Sequence, residues 1–199
     1  MGTRGKFGFY YKGKYYMCYN HFDSYPSYLG VHLILEILKA DLDEWTKLLE
    51  NIKEVSQAVK PTAEDIEKLK KYTDLTVSSC SKQEWFCLLR LTQGSFYHVL
   101  QAGYMENAYG CNMGELYVYV LNLDKKEFRA KGLQGHKLDV KMKLEKEEML
   151  KYAREWSEGA AFDEDYDPEE ALAKSREHVN RMLKDWKVFR PFGKEEDFQ

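Results

Sequence analysis

Long apolar runs are absent from this sequence, and their absence excludes one class of protein. No stretch of its 199 residues approaches the ~18 consecutive apolar residues that a transmembrane helix needs. No secretory signal pattern stands at the start of the chain either. We therefore predict no membrane association and an intracellular, reducing compartment.

Cysteine is scarce, and its spacing is not that of a metal site or a disulfide framework. No two cysteines form a C-x-x-C pair, and no histidine stands at zinc-ligand spacing from one. An acidic run at 163–167 lacks the glycine and the closing glutamate of a calcium loop. The sequence therefore predicts no metal, no cofactor and no disulfide among its four cysteines, which are Cys18, Cys80, Cys87 and Cys111.

Catalytic sequence motifs are missing as well. The chain has no glycine-rich phosphate loop, no dinucleotide-binding fingerprint, no nucleophile elbow and no zinc-protease motif. Thr3 lies near the N-terminus, as in hydrolases with an N-terminal nucleophile, but loss of Met1 would expose Gly2 instead. These absences favour a protein that is not an enzyme.

Neither sign of charge dominates the chain. Its 30 basic and 33 acidic residues give a net charge of −3, and lysines stand beside glutamates along the predicted helices. A chain without a large net charge has no overall field that attracts nucleic acid or an anionic membrane. The sequence therefore gives no strong signal for nucleic-acid binding.

Aromatic residues, in contrast, are abundant. They make up 15% of the chain, and 15 of them are tyrosines. Such tyrosines either border a thick core or form an adhesive surface, and both interpretations stay open. Tyrosine-rich surfaces make contacts at low entropic cost, so the second interpretation predicts a protein partner or self-association.

Hydrophobic periodicity predicts one α+β domain over residues 1–190, followed by a C-terminal tail at 191–199. We expect a central antiparallel sheet of about five strands, with several helices packed on it and a helix-rich C-terminus. The predicted strands are 6–11, 14–19, 96–102, 115–123 and 127–132, and the alternating segment 137–144 is a further candidate. The predicted helices are 31–40, 43–58, one from Thr62, 81–91, 145–157 and one from Asp167.

The first two predicted strands flank a short turn at Lys12-Gly13, which is typical of a hairpin. With this turn, paired residues have numbers that sum to about 25 or 26, so the N-terminus meets the loop after the second strand. Gly30 and the start of a helix follow closely, and we expect their backbone N–H groups to be free. The polar and aromatic residues gathered at this end of the hairpin are Thr3, Arg4, Asn20, His21, Asp23 and Tyr25.

Two interpretations of this cluster stay open. Polar side chains that anchor a loop give a purely structural role. A hydroxyl, a guanidinium, an imidazole and a carboxylate in one place also fit an anion pocket, a small-ligand pocket or a general-base site. In both cases we predict a charge-assisted hydrogen bond from Arg4 to Asp23 or to the loop at 20–25.

Three segments of the sequence resemble a family from large DNA viruses of amoebae, the marseillevirus group. They are MGTRG at 1–5, YNHFDSYP at 19–26 and YVYVLNLD at 117–124, and similar N-terminal motifs occur in fungal and phage proteins. The family has no assigned activity. The resemblance therefore implies only a viral protein that acts in the host cytoplasm or in the virion.

The resemblance, the many tyrosines and the lack of any catalytic motif together predict a non-enzymatic structural or interaction protein. The alternative is a small-molecule hydrolase or ligand-binding domain that uses Thr3, Arg4, His21 and Asp23. An open pocket at these residues would favour the alternative, whereas a corner filled by its own hydrogen bonds would favour the first hypothesis.

Overall fold

The computed structural model describes residues 3–76 and 81–159. The first two strands, β1 (Gly5–Tyr11) and β2 (Lys14–Asn20), form the predicted hairpin. Gly5 pairs with Asn20 and Tyr11 with Lys14, so the predicted register is confirmed. Both turn residues have positive φ, 47° at Lys12 and 77° at Gly13, as a tight turn between twisted antiparallel strands requires.

Five strands form the main sheet, and the α+β class is confirmed. Their order is β2-β1-β5-β6-β7, while β3 and β4 form a separate two-stranded sheet. The strands after the hairpin are β3 (Lys53–Val55), β4 (Tyr104–Glu106), β5 (Tyr117–Asn122), β6 (Glu127–Gly132) and β7 (Asp139–Lys143).

The main sheet is mixed, which corrects the prediction of an antiparallel sheet. β1 and β5 pair in parallel, and the other pairs are antiparallel. Residues 12–116, which include three other strands and most of the helices, separate these two strands in sequence, long enough for a connection that returns the chain to the same end of the sheet. The pattern of apolar residues in a strand does not show whether it pairs parallel or antiparallel with a distant strand.

Residues 96–102 form a helix, so the strand predicted there is wrong. The Ser95 hydroxyl oxygen accepts a hydrogen bond from the His98 N–H at 3.1 Å and caps the start of α5 (Phe96–Ala102). Gly103 ends this helix in the left-handed conformation, with φ of 68°. A short apolar run fits either period, and the cap is one contact that favours the helix here. The fifth strand of the sheet is β7, within the alternating segment 137–144.

The helices begin near their predicted starts, but several are shorter than predicted. The helix predicted over 43–58 ends at Glu50, and the one predicted from 81 begins at Trp85. The helix predicted from Asp167 and the tail at 191–199 lie outside the described residues. The remaining helices are α1 (Val31–Lys39), α2 (Leu42–Glu50), α3 (Ala63–Lys68), α4 (Trp85–Leu88) and α6 (Lys146–Gly159).

One face of the main sheet forms the core. Phe9 of β1 packs against Phe96 of α5 with ring centroids 4.8 Å apart, and against Trp45 of α2 at 6.3 Å. Tyr119 of β5 stacks on Phe128 of β6, and all five side chains are buried. Large aromatic side chains account for this thick core, as one interpretation of the composition predicts.

The opposite face of the sheet, called the second face below, receives Lys6, Gly8 and Tyr10 of β1. The segment 107–115 runs beside it, and the Ala108 N–H donates to the Met17 carbonyl at 2.7 Å. This contact covers the free edge of β2, which would otherwise invite pairing with another chain. Under the same segment, Lys6 Nζ and Glu115 Oε1 form a buried ion pair at 2.7 Å.

The cysteines correct a second prediction. Cys87 is disulfide-bonded. Cys18 and Cys111 are free. Sequence spacing does not show when a loop folds back to bring two sulfurs together, because only the Cα separation in space decides that. The cysteines therefore do not support the expected reducing compartment.

No helix within the described ranges is both long and apolar enough to cross a bilayer.

Candidate functional site

The open end of the hairpin gathers the predicted residues into one corner. The Ser24 N–H donates to the Thr3 carbonyl at 3.0 Å, so the N-terminal segment meets the loop after β2. Thr3 and Asn20 are buried, His21 is half-buried, and Arg4, Asp23 and Tyr25 are exposed.

The interior of this corner is filled by its own hydrogen bonds. Asn20 Nδ2 donates to Ser24 Oγ at 2.8 Å and to the Phe22 carbonyl at 2.5 Å. The Tyr119 hydroxyl donates to the Ser24 carbonyl at 2.9 Å. A Cβ on Gly5 would lie 2.5 Å from Ser24 Cβ, so the packing leaves no space for a ligand between strand and loop.

Arg4 does not make the predicted contact with Asp23 or the loop. Arg4 Nη1 donates to the Met113 carbonyl at 3.3 Å, and no ion pair joins Arg4 to Asp23. Asp23 has a positive φ of 51°, and its neighbour Ser24 takes the position against Thr3. The register therefore predicted correctly which segments meet, but the predicted contact of the Arg4 side chain is wrong.

His21 is held by a phenol and an amide. Its Nδ1 lies 2.9 Å from the Tyr19 hydroxyl, and its backbone N–H donates to Gln93 Oε1 at 3.1 Å. Burial lowers the pKa of His21, and the guanidinium groups of Arg90 and Arg4 lower it further. A neutral imidazole bonded to a phenol lacks the orienting carboxylate of a catalytic base.

The helix start beside the corner is closed as well, contrary to the prediction of free N–H groups. The Gly30 N–H donates to the Tyr25 carbonyl at 3.3 Å, and a π-helical turn over Pro26–Gly30 leads directly into α1. A Cβ on Gly30 would lie 2.7 Å from the Trp156 ring. α6 therefore covers this end of α1, and an anion cannot approach it.

An open pocket lies at the other end of the same hairpin, where the sequence predicts only a turn. Its volume is about 530 Å³. The residues that line it are Tyr10, Gly13, Lys14, Tyr15, Asn107 and Tyr109.

Three aromatic rings form the floor of this pocket. Tyr15 and Tyr109 stack with ring centroids 4.8 Å apart and planes 5° from parallel. Tyr10 packs on Tyr15 at 4.7 Å and 60°. Their hydroxyl groups have no hydrogen-bond partner among the described residues, and Tyr109 is 61% exposed. We call Tyr10, Tyr15 and Tyr109 the tyrosine platform.

Asn107 fixes the platform in place. Its Oδ1 accepts from the N–H groups of Met17 and Tyr109, each at 3.1 Å. Its Nδ2 donates to the Tyr15 carbonyl at 3.0 Å and to Glu54 Oε2 at 2.9 Å. The side chain thus ties β2, β3 and the platform together. The tyrosine content was the only sequence signal for this site, because Asn107 lies far from the hairpin in sequence.

Cations line the second face beyond the platform. Antiparallel pairing places Arg129 of β6 beside Lys141 of β7, and Glu127 of β6 beside Lys143. Lys141 Nζ and Glu127 Oε2 form an ion pair at 2.9 Å. We call the exposed residues Arg129, Lys131, Lys141 and Lys143 the basic strip.

No group of three or more histidine, cysteine, aspartate or glutamate side chains in the described ranges could hold a metal ion. The platform itself offers phenols, ring faces and an amide whose hydrogen bonds are already made. Such groups bind ligands, and none of them is an activated nucleophile or base.

No family model, curated protein or solved structure matches this chain. The resemblance to the marseillevirus family therefore stays a prediction from sequence motifs.

Proposed function

We propose that this chain is a non-enzymatic interaction protein that contacts its partner through the tyrosine platform. The observation that carries the proposal is a set of three packed rings with free hydroxyl groups, fixed by Asn107 at an open pocket. At the predicted ligand site, hydrogen bonds between the protein's own residues occupy the interior of the corner instead. This contrast favours the interaction hypothesis over the hydrolase hypothesis.

Preorganisation supports the proposal. Tyrosine loses little side-chain entropy on binding, and these rings are already packed against one another. Each ring also combines an apolar face with a polar hydroxyl, a combination that is common in binding hot spots. A partner would therefore meet a surface that does not need to reorganise.

The corner supplies a second candidate, in which a small anion binds near His21. Arg4 and Arg90 both lie close enough to lower the pKa of His21, so positive charge concentrates there. Among the described residues, neither guanidinium forms an ion pair with a carboxylate. The filled packing around Asn20 weighs against a deep substrate pocket, so this candidate is limited to surface binding.

The viral setting belongs to the same proposal. The three motifs that resemble the marseillevirus family favour a role in the cytoplasm of an infected host or in the virion. The contact that the platform makes with its partner would then serve assembly or infection.

Backbone amide NMR of the full chain tests where binding occurs. The probes are an oligodeoxythymidine of about eight nucleotides, an oligoglutamate peptide, a proline-rich peptide and inorganic phosphate. We expect at least one of the first three to shift the signals of Tyr10, Tyr15 and Tyr109. The shifts should vanish in Tyr109→Ala and persist in Tyr25→Ala, which removes another exposed tyrosine from the opposite end of the hairpin.

Two results would contradict the proposal. Shifts confined to His21, Asp23 and their neighbours on addition of phosphate would favour the small-anion candidate. Shifts at the platform that are the same in Tyr109→Ala would show that the rings do not contribute to binding.

A further inference from the structure

The tyrosine platform and the basic strip lie on one continuous face. Tyr10 of β1 pairs with Asn122 of β5, and Asn122 pairs with Glu127 of β6. Two strand spacings of about 4.8 Å, with a short offset along the strand, put Tyr10 roughly 12 Å from Arg129. A chain that crosses the strands would reach both within roughly two or three nucleotides.

The floor between the platform and the strip is apolar and half-exposed. Val120 lies between Gly8 of β1 and Arg129 of β6, and Val118 lies one pair further along. Lys6, the cation on the β1 side, is buried in its ion pair with Glu115. The second face therefore carries rings on one side, apolar side chains in the middle and cations on the other side.

The charges of the strip are unevenly compensated. Glu127 is buried and engaged with Lys141, and Asp139 is the other carboxylate on this face of β6 and β7. Arg129 and Lys131 form no ion pair with any residue in the described ranges. A chain with net charge −3 thus carries a local excess of positive charge, which the overall composition conceals.

We infer that the second face binds a single-stranded nucleic acid. Bases stack on the tyrosine platform, and phosphates lie along the basic strip. Ring faces bind bases of any sequence, while lysine and arginine bind phosphate oxygens. The inference rests on the proposed function, because it assigns a chemical class to the partner of the same platform.

The rings distinguish this partner from an acidic peptide. Both polymers would satisfy the cations of Arg129 and Lys131. An acidic peptide, however, has no flat ring to place against the exposed face of Tyr109. A duplex is a poorer fit as well, since its bases are stacked inside and the second face presents no helix to enter a groove.

Fluorescence anisotropy with the full chain and a labelled oligodeoxythymidine of about twelve nucleotides tests the inference. Tyr15→Ala combined with Tyr109→Ala should weaken binding by about fivefold or more. Arg129→Gln combined with Lys131→Gln should reduce the slope of log affinity against log salt by about 1.4, since each phosphate contact contributes about 0.7.

Lys47→Gln combined with Lys82→Gln is the matched charge control, since both lysines are exposed and lie off the second face. It should leave the salt slope within error of the unsubstituted chain. All six positions are at least partly exposed, and unchanged thermal unfolding of each variant confirms that binding alone is altered.

The outcomes separate this inference from the proposed function. Binding of oligoglutamate that depends on Tyr109 and Arg129, with no binding of oligodeoxythymidine, would overturn the inference and leave the platform as a protein-binding surface. Equal loss of oligodeoxythymidine binding in the control pair would show non-specific attraction and would also overturn it. If the binding of no probe depends on Tyr109, both proposals fail.

Discussion

The two ends of the β1–β2 hairpin carry similar side chains and differ in what they leave open. At the open end, Asn20 donates to the loop and seals it. At the turn end, the Asn107 side chain forms hydrogen bonds with the backbone of Tyr15 and Tyr109. The hydroxyl groups of these two tyrosines have no partner among the described residues. Loops need internal anchors for their backbone, whereas a tight two-residue turn does not. Polar residues in a loop are therefore a weaker sign of a binding site than aromatic residues beside a turn.

The largest effect should come from the buried ion pair between Lys6 and Glu115. Lys6→Ala leaves the buried Glu115 carboxylate without its cation and should lower the free energy of unfolding by about 3–5 kcal/mol. Urea unfolding measures this loss. Lys12→Ala, which removes an exposed pair with Glu50 at the turn, is the control and should have no measurable effect. Equal stability of the two variants would contradict the burial of the Lys6 pair.

Two asparagine substitutions should separate the ends by function. Asn20→Ala leaves Ser24 Oγ and the Phe22 carbonyl without the hydrogen bonds that Asn20 donates. It should lower the free energy of unfolding by about 1–3 kcal/mol and leave oligodeoxythymidine binding unchanged. Asn107→Ala should cost a similar amount and also weaken binding, because the platform loses its support. Urea unfolding and anisotropy on both variants provide the comparison. A binding loss in Asn20→Ala alone would assign the site to the corner.

A smaller effect should appear in the pH dependence of the corner. The pKa of His21 is lowered by burial and by Arg90 and Arg4, so the folded state binds fewer protons than the unfolded state. Its contribution to stability is then fully present above the unfolded pKa of about 6.5, and is lost as pH falls through the lower folded value. Urea unfolding between about pH 7 and pH 5 should show this loss, and His21→Asn should remove it. A rise in stability toward acid that depends on His21 would contradict the lowered pKa.

The smallest effect is expected from Arg4→Ala. The guanidinium is exposed and makes a single contact of 3.3 Å with the Met113 carbonyl. Thermal unfolding and oligodeoxythymidine binding should both stay within experimental error of the unsubstituted chain. Loss of phosphate binding in this variant would favour the small-anion site near His21.

The parts of the fold that can be predicted correctly from the sequence depend on local signals. The Lys12-Gly13 turn fixed the hairpin register, since two residues with positive φ leave a single tight connection. Thr62 and Asp65 fixed the start of α3 through a reciprocal capping box. In both cases the residues that decide the structure lie within a few positions of one another.

Contacts between distant segments decided the rest. Glu36 of α1 accepts hydrogen bonds from Ser95 Oγ and from the Phe96 N–H, and this buried carboxylate at its N-terminus favours a helix over 96–102. The parallel pairing of β1 and β5 depends on the path of the chain between them. The tyrosine platform exists because Asn107 joins a loop to the hairpin turn.

Residues close together in the chain were therefore enough to predict the α+β class, the hairpin and which segments meet at its open end. Packing between distant segments closes this end, opens the pocket at the other end, and places cations of β6 and β7 on one face with the tyrosines. The physical reason is the range of the interactions. Turns and caps are satisfied within a few residues, whereas a binding surface is assembled from strands and loops that only packing brings together.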